Sequence, residues 1–206
     1  DGAMRRDQVW LWGHGAGAHD RYVGGGRSSR VTPGEACRRL GLGNLVMVAL
    51  HGDPVPPLAV HVDDLAGIER IVWSVLDDGR PPRDDVDAVL ALAAARPSVT
   101  GGIIDNTLRV PVREVARIAD RLHAAPRPLD LWGVVYAAEL GGAVPGCLGH
   151  CDVVTFWNHD AADLHREEPA LRRLVSGWGF SGISQFHPGF PVSFVAGPRF
   201  GLANSS

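Results

Sequence analysis

Short apolar runs that stop abruptly at polar residues recur along the chain. The clearest run covers residues 99–104 and ends at Asp105, which Asn106 follows. A run without polar alternation predicts a strand that is buried on both faces. A buried strand ends on a charge mainly where that charge faces water or a binding site. Similar runs, each followed by polar residues, lie at residues 9–12, 45–50, 71–73, 134–136 and 153–157.

Segments with helical periodicity alternate with these strands. Thr32, Pro33 and Glu35 predict a helix start, because threonine caps, proline suits the first helical position and the glutamate completes a capping box. This helix is predicted to reach Leu40 and to end at Gly41. Apolar spacing predicts further helical segments at residues 63–68, 82–95, 112–123 and 169–176. Strands that alternate with helices predict parallel pairing through right-handed crossovers.

The expected fold is a compact, irregular or incomplete (β/α)8 TIM-type barrel. Its last two strands are predicted over residues 180–186 and 191–195, and one domain is expected to span residues 1–206, with residues 1–4 a cloning remnant. The alternative is an open doubly wound sheet. We favour the barrel because polar residues end many strands instead of gathering at one switch point. The functional site is then expected at the carboxyl ends of the strands.

Composition narrows the chemistry more than it narrows the fold. All 20 basic residues are arginine, so Schiff-base chemistry on lysine and a P-loop lysine are both excluded. The net charge of −3 gives no reason to expect nucleic acid as a partner. No apolar run has the length of a membrane span, so we expect a cytoplasmic protein with no membrane partner. The chain has three cysteines, Cys37, Cys147 and Cys151. An odd number at these spacings does not resemble a disulfide framework.

Two carboxylates follow adjacent predicted strands. Asp105 ends the fourth strand, and Glu139 lies just after the fifth. Carboxyl groups at neighbouring strand ends can flank one substrate bond, which is the arrangement that glycoside hydrolysis requires. One would act as the acid and the other as nucleophile or base. The alternative roles are a turn cap for Asp105 and a solvated loop charge for Glu139. His159, beyond the sixth strand, is the third catalytic candidate.

Aromatic and polar side chains near the same strand ends suggest a ligand site. A flat ring can receive the apolar face of a sugar, whereas the interior of a barrel also fills with large side chains. For each tryptophan, packing in the core is therefore the competing interpretation. The predicted substrate-binding residues are Trp12, His14, His51, Trp73, Asn106, Tyr136 and Trp157.

Histidines near strand ends raise the question of a metal. They are His14, His51, His159 and His187. Imidazole and carboxylate suit zinc, iron or manganese, but no compact histidine pair anchors such a site, and single histidines more often bond a substrate or a carbonyl. Residues 147–151 hold three further potential ligands without a second cluster, which favours packing. We therefore expect neither a metal nor a cofactor.

Several stretches together resemble a family of bacterial TIM-barrel proteins similar to glycoside hydrolases. They occur in the order residues 12–14 with His19, 44–48, 52–57, 72–74, 99–105, 135–136 with 139–140, and 152–157. The resemblance covers most of residues 9–160. It implies a barrel with a sugar-type ligand at its carboxyl face and with Asp105 in that site. The family pattern has a second acid after the fourth strand, where this chain has Asn106, but strand alternation places that position opposite Asp105.

The leading expectation is a barrel enzyme that hydrolyses a glycoside-like bond of a carbohydrate or another small molecule. Asp105 and Glu139 would form its carboxylate pair. A second hypothesis is proton transfer on a small metabolite by an isomerase, lyase or cyclase, with Asp105 and a histidine. A third is a ligand-binding barrel without catalysis. The last 30 residues are expected either to close the barrel or to pack against a second copy in a homodimer.

Overall fold

The computed structural model describes residues 6–18, 30–50, 52–76, 83–139 and 146–157, together with the backbone of residues 179–181 and 194–197. Within these residues, eight strands form one sheet in the order β1-β2-β3-β4-β5-β6-β8-β7. The strands are β1 Leu11–Gly13, β2 Asn44–Met47, β3 Arg70–Leu76, β4 Val99–Ile104, β5 Asp130–Tyr136, β6 Val153–Trp157, β7 Gly179–Ser181 and β8 Phe194–Gly197.

The first six strands form a parallel sheet that curls into a half-barrel, so the predicted α/β class is confirmed. The half-barrel is consistent with the predicted incomplete barrel, but the described strands do not form a full (β/α)8 barrel. Strand β8 pairs with β6 in the antiparallel direction, and β7 pairs antiparallel with β8. A TIM barrel requires parallel strands throughout, with the last strand returning to the first, whereas β1 and β7 stand at opposite ends of this sheet order.

Three α-helices lie in the described ranges, and they join successive parallel strands as crossovers. They are α1 Pro33–Leu40, α2 Val86–Ala95 and α3 Val112–His123. The predicted capping of α1 is confirmed, because the Thr32 hydroxyl accepts a hydrogen bond from the backbone N–H of Glu35 at 3.2 Å. Gly41 ends the helix in the left-handed region, with a φ of 65°, where glycine carries no steric cost.

Side chains alternate between the two faces of the sheet, as the two-residue period of strands requires. The outer face packs against the helices, where Ile71, Leu131 and Val135 join buried residues of α2 and α3 in one apolar core. The inner, concave face carries a second apolar cluster. Its described members are Val46, Val48, Val72, Ile103, Trp132, Val134, Val153 and Trp157, with Trp10, Trp12 and Tyr136 packed against them.

Predicted and observed elements agree closely in the middle of the chain. The bounds of β4 and α3 are those that the sequence pattern indicated, and β3 contains the apolar run at residues 71–73. The helix predicted over residues 169–176 lies outside the described residues. Within the described part of the chain, no helix combines the length and apolarity that crossing a membrane requires.

Candidate functional site

The candidate site begins where β4 turns away from the sheet. Asp105 follows Ile104 and opens a turn in which Asn106 adopts the left-handed conformation, with a φ of 54°. Asparagine tolerates this region better than most residues. The backbone N–H of Asn106 donates to Oδ1 of Asp105 at 2.9 Å. Because Asp105 is two residues beyond Ile103 of the concave face, the alternation brings its carboxylate to the same face.

Tyr136, the last residue of β5, meets this carboxylate. Its hydroxyl donates a hydrogen bond to Oδ1 of Asp105, with an oxygen–oxygen distance of 2.6 Å. Burial raises the pKa of the Tyr136 phenol well above its usual value, and the negative charge and hydrogen bond of Asp105 raise it further. Tyr136 therefore keeps its proton and acts as a donor. The short bond fits the charge-assisted class, in which a hydroxyl donates to a carboxylate.

Aromatic rings form a wall beside this pair. Trp157 of β6 lies 6.4 Å from Tyr136 between ring centroids, and Trp12 lies 4.9 Å from Trp157. Trp157 is 7% exposed, and Trp12 and Tyr136 are half-buried. The two pairs join three of the predicted binding residues into one continuous aromatic surface. Because Trp157 is nearly covered, Trp12 and Tyr136 present the more accessible part of it.

His14 lies just after β1 and is held by a backbone group. Its Nδ1 is 2.9 Å from the carbonyl oxygen of Val48. Since a carbonyl oxygen only accepts, Nδ1 carries the proton, and the acceptor nitrogen of the neutral ring is Nε2. This hydrogen bond fixes the ring's tautomer and orientation, which is the usual way a functional histidine is prepared.

Glu139 is engaged by its own neighbours. Oε2 accepts a hydrogen bond from the backbone N–H of Tyr136 at 3.0 Å. Oε1 lies 3.4 Å from Nε of Arg109, and the Glu139 side chain is only 16% exposed. Both predicted carboxylates therefore contact Tyr136. Asp105 accepts from its hydroxyl, and Glu139 accepts from its backbone N–H.

The structure places one predicted binding residue away from this group. Trp73 is 1% exposed in the core on the helix side of the sheet. Its strand neighbour Val72 belongs to the concave face instead, so the alternation points Trp73 outward. A ligand at the concave face does not reach it, and its role is packing. The predicted residues His51 and His159 lie outside the described residues.

Sequence reasoning missed Thr107. This residue is fully buried, donates its hydroxyl proton to the carbonyl of Ile104 at 2.8 Å and accepts from the backbone N–H of Val134 at 2.7 Å. It therefore ties the end of β4 to β5. The available signal was its place directly after the Asp105-Asn106 turn, where a threonine hydroxyl readily bonds nearby backbone.

The portion of the chain that the structure describes brings no metal-ligating cluster together, and it buries its thiols. No three histidine, cysteine or acidic side chains converge there in a group that could hold a metal ion. The three cysteines are buried and unpaired, and burial raises the pKa of Cys37 to about 11 and that of Cys151 to about 12. Thiols of this kind are poor nucleophiles at neutral pH.

A cavity of about 210 Å³ lies elsewhere, beside the carboxyl ends of β1 and β2. Its polar lining includes Thr32, Asp53, His61 and Asp64. It shares no lining residue with the aromatic wall or with the Asp105–Tyr136 pair, so the two features are separate.

The fold and these contacts define a class: an α/β half-barrel with a carboxylate–phenol pair beside tryptophans at its carboxyl edge. Comparisons of the chain with protein-family models, curated proteins and solved structures give no match. The resemblance to glycoside-hydrolase-like barrels therefore stays a prediction.

Proposed function

We propose that this protein is an enzyme that transfers a proton on a small hydroxylated metabolite, with Asp105 as the catalytic base. The observation that supports it most is the 2.6 Å hydrogen bond from the Tyr136 hydroxyl to Oδ1 of Asp105 at the carboxyl ends of neighbouring strands. Parallel α/β folds place their reacting groups at this edge. A carboxylate that two donors orient, the Tyr136 hydroxyl and the Asn106 N–H, is prepared for directed proton transfer.

In the proposed reaction, Asp105 removes a proton from a carbon next to a carbonyl group. The electron pair of that C–H bond moves toward the carbonyl oxygen and forms an enolate. Asp105 then returns the proton to the same carbon, or to the former carbonyl carbon where a hydroxyl group on the first carbon passes its proton to the former carbonyl oxygen and becomes the new carbonyl group. Tyr136 keeps its own proton, because burial and the adjacent Asp105 raise its pKa. Its part is to orient the carboxylate, and a base that is held in the reactive geometry avoids the cost of ordering at each turnover.

The substrate class follows from the surroundings of the pair. Trp12 and Trp157 give an aromatic surface that suits the apolar face of a polyhydroxylated ring or chain. Deeper in the concave face, Trp10 and Trp132 pack together with centroids 4.6 Å apart. The interior is filled at that level, so the substrate is small and binds at the rim.

Glycoside hydrolysis is the second candidate. It is favoured by the two carboxylates, Asp105 and Glu139, that contact Tyr136 from adjacent strand ends. It ranks below proton transfer because hydrolysis needs one of these carboxyl groups to give up a proton to the leaving group. Glu139 instead accepts a backbone hydrogen bond through one oxygen and lies beside Arg109 with the other, so both of its oxygens are already engaged by the protein itself.

The test compares two reactions on the full chain. Small ketoses, aldoses and hydroxy acids are incubated with the protein in D2O, and deuterium entry at carbon is followed by NMR. p-Nitrophenyl glycosides report hydrolysis by colour. Asp105→Asn is the test variant, and Asp120→Asn, at an exposed carboxylate of α3, is the matched control. Thermal melting shows that each variant is folded.

Proton transfer predicts deuterium exchange that falls by about 10²–10⁴-fold in Asp105→Asn and stays unchanged in Asp120→Asn. Release of p-nitrophenol without exchange would replace the proposal with glycoside hydrolysis. If a folded wild-type protein binds sugars without either reaction, the ligand-binding hypothesis takes its place.

A further inference from the structure

Strand β5 continues beyond the end of its neighbour β4. The last paired residues of the two strands are Ile104 and Gly133, whereas β5 runs on to Tyr136. Alternate residues of a strand direct their backbone N–H groups to the same side. The N–H groups of Val134 and Tyr136 therefore face the side that β4 has left at its turn.

Two side-chain oxygens take the places that a longer β4 would have filled. Oγ1 of Thr107 accepts from the N–H of Val134 at 2.7 Å, and Oε2 of Glu139 accepts from the N–H of Tyr136 at 3.0 Å. Thr107 also donates to the carbonyl of Ile104. Both ends of the extra β5 segment are thus hydrogen-bonded on the side that β4 has left, while β6 pairs with the segment on its other side.

We propose that Thr107 and Glu139 are positioning residues that substitute for β4 along the end of β5 and thereby hold the Tyr136 hydroxyl against Asp105. The proposal rests on the proposed function only in taking the Asp105–Tyr136 pair as the site. It explains why β4 stops early: the turn after Ile104 frees the space in which the Asp105 carboxylate reaches the hydroxyl of Tyr136.

The packing around Gly133 supports a fixed place for Thr107. A Cβ atom at Gly133 would lie 3.1 Å from Oγ1 of Thr107 and 2.8 Å from Sγ of Cys151. Thr107 therefore packs against Gly133 in a space that a larger side chain at position 133 would fill. Its hydroxyl is set between the two strands by close packing as well as by its two hydrogen bonds.

The proposal separates two roles for Glu139. A positioning residue needs only an oxygen that accepts from the Tyr136 N–H, and the amide of glutamine supplies one. A catalytic carboxyl group needs its charge and its proton. Glu139→Gln therefore keeps the positioning role and removes any acid–base role, while Glu139→Ala removes both.

The experiment reads the Tyr136 hydroxyl directly, without substrate. The chain has two tyrosines, so a Tyr22→Phe background leaves Tyr136 as the single signal after carbon-13 labelling at Cζ. The Cζ chemical shift at neutral pH reports the hydrogen bond of the phenol, and Asp105→Asn provides the reference for a weakened bond. Two matched pairs are compared: Thr107→Val with Thr107→Ser, and Glu139→Ala with Glu139→Gln.

We expect Thr107→Val and Glu139→Ala to move the Tyr136 signal toward the Asp105→Asn value or to broaden it. Thr107→Ser and Glu139→Gln should stay close to the wild-type signal, since each keeps the accepting oxygen. Both Glu139 variants lack the charge, so their difference isolates the hydrogen bond. If Thr107→Val does not fold, the half-buried Glu139 pair still decides the matter.

A wild-type Tyr136 signal in folded Thr107→Val and Glu139→Ala, with only a lower melting temperature, would overturn the proposal and make both residues simple stabilisers. This readout needs no turnover. The positioning roles can therefore fail while the proton-transfer activity stands, and the reverse holds as well.

Discussion

Trp12 of β1 packs against Trp157 of β6, with ring centroids 4.9 Å apart, although four strands separate β1 from β6 in the sheet. In a flat sheet with a strand spacing of ~4.8 Å, these strands would lie about 24 Å apart. The contact therefore requires the strong curl of the sheet. It also joins the first and the last parallel strand across the concave face, beside the candidate site.

A double-mutant cycle can measure this contact. We expect Trp12→Leu and Trp157→Leu to show a coupling free energy of about 0.5–1.5 kcal/mol in urea unfolding, the range for an aromatic pair. The control cycle pairs Trp12→Leu with Trp73→Leu. Since Trp73 lies on the helix side of the sheet, its coupling to Trp12 should be near zero, and an equal coupling in both cycles would contradict a direct contact.

Tyr136 should make the stability of the protein sensitive to alkaline pH. Its pKa in the folded state is raised, first by burial and then by Asp105, whereas an unfolded tyrosine titrates near 10. The stabilisation is therefore complete below about pH 10, where both states are protonated, and is lost as pH rises toward the folded pKa, because only the unfolded state releases the proton. The expected loss for one group is about 1.4 kcal/mol per pH unit.

Tyr136→Phe removes this titration. The difference in unfolding free energy between wild type and Tyr136→Phe should be constant from about pH 8 to pH 9 and should decrease above about pH 10. Urea unfolding across this range measures it, and the subtraction cancels the remaining titrating groups. A difference that does not change with pH would show that Tyr136 has an ordinary pKa.

Asn44 should be important for stability at the amino ends of the strands, opposite the candidate site. It is 1% exposed, and its amide donates to the carbonyl oxygens of Asp7 at 2.9 Å and Val9 at 2.8 Å. Its oxygen accepts from Nε of Arg70 at 2.8 Å. Asn44→Ala removes these three hydrogen bonds from a buried position, so we expect a loss of about 2–3 kcal/mol of unfolding free energy.

Asn44→Asp is the informative companion variant. It keeps an acceptor for Arg70 but removes both donors to the segment that leads into β1. If the donors matter, thermal unfolding should show Asn44→Asp to be destabilised as well. A variant as stable as wild type would mean that the bond with Arg70 alone holds this edge.

Gly34 should not tolerate a side chain. A Cβ atom there would lie 2.1 Å from the backbone oxygen of Asp64 and 2.6 Å from its Oδ2, which forces the start of α1 away from the turn at residues 63–65. We expect Gly34→Ala to lose about 1–3 kcal/mol, as overpacking does. Gly146→Ala is the matched control, because a Cβ there meets nothing within 4 Å. Equal melting temperatures for both variants would contradict the close packing.

The sequence pattern predicted the parallel part of the fold well because its signals are local. Apolar runs that end at polar residues located β3 and β4, and Thr32 with Gly41 located both ends of α1. The direction of β8 was not predictable in this way. A strand's apolar pattern is the same in both directions, and its pairing depends on a distant partner.

The proximity of candidate residues was predictable where strand order alone brings them together. Asp105 and Tyr136 end adjacent parallel strands, so their proximity follows from topology. The role of Glu139 as an acceptor for a backbone amide could not be predicted from strand order. It depends on β5 extending three residues beyond its last pairing with β4. Trp73 was predicted to bind substrate because it lies near a strand end. The alternation of side chains along the strand would have assigned it to the helix side instead.

Two tryptophan pairs of the concave face should also allow the curl of the sheet to be followed by circular dichroism. Trp10 with Trp132 and Trp12 with Trp157 hold indole rings at tilts of 62° and 59° within 5 Å, a geometry in which neighbouring chromophores share their excited states. Their coupled transitions should give a paired positive and negative band in the far-ultraviolet circular dichroism. Opening of the half-barrel should separate the rings and weaken that paired band before the backbone signal changes. The intensity of the band therefore reports the curvature of the sheet.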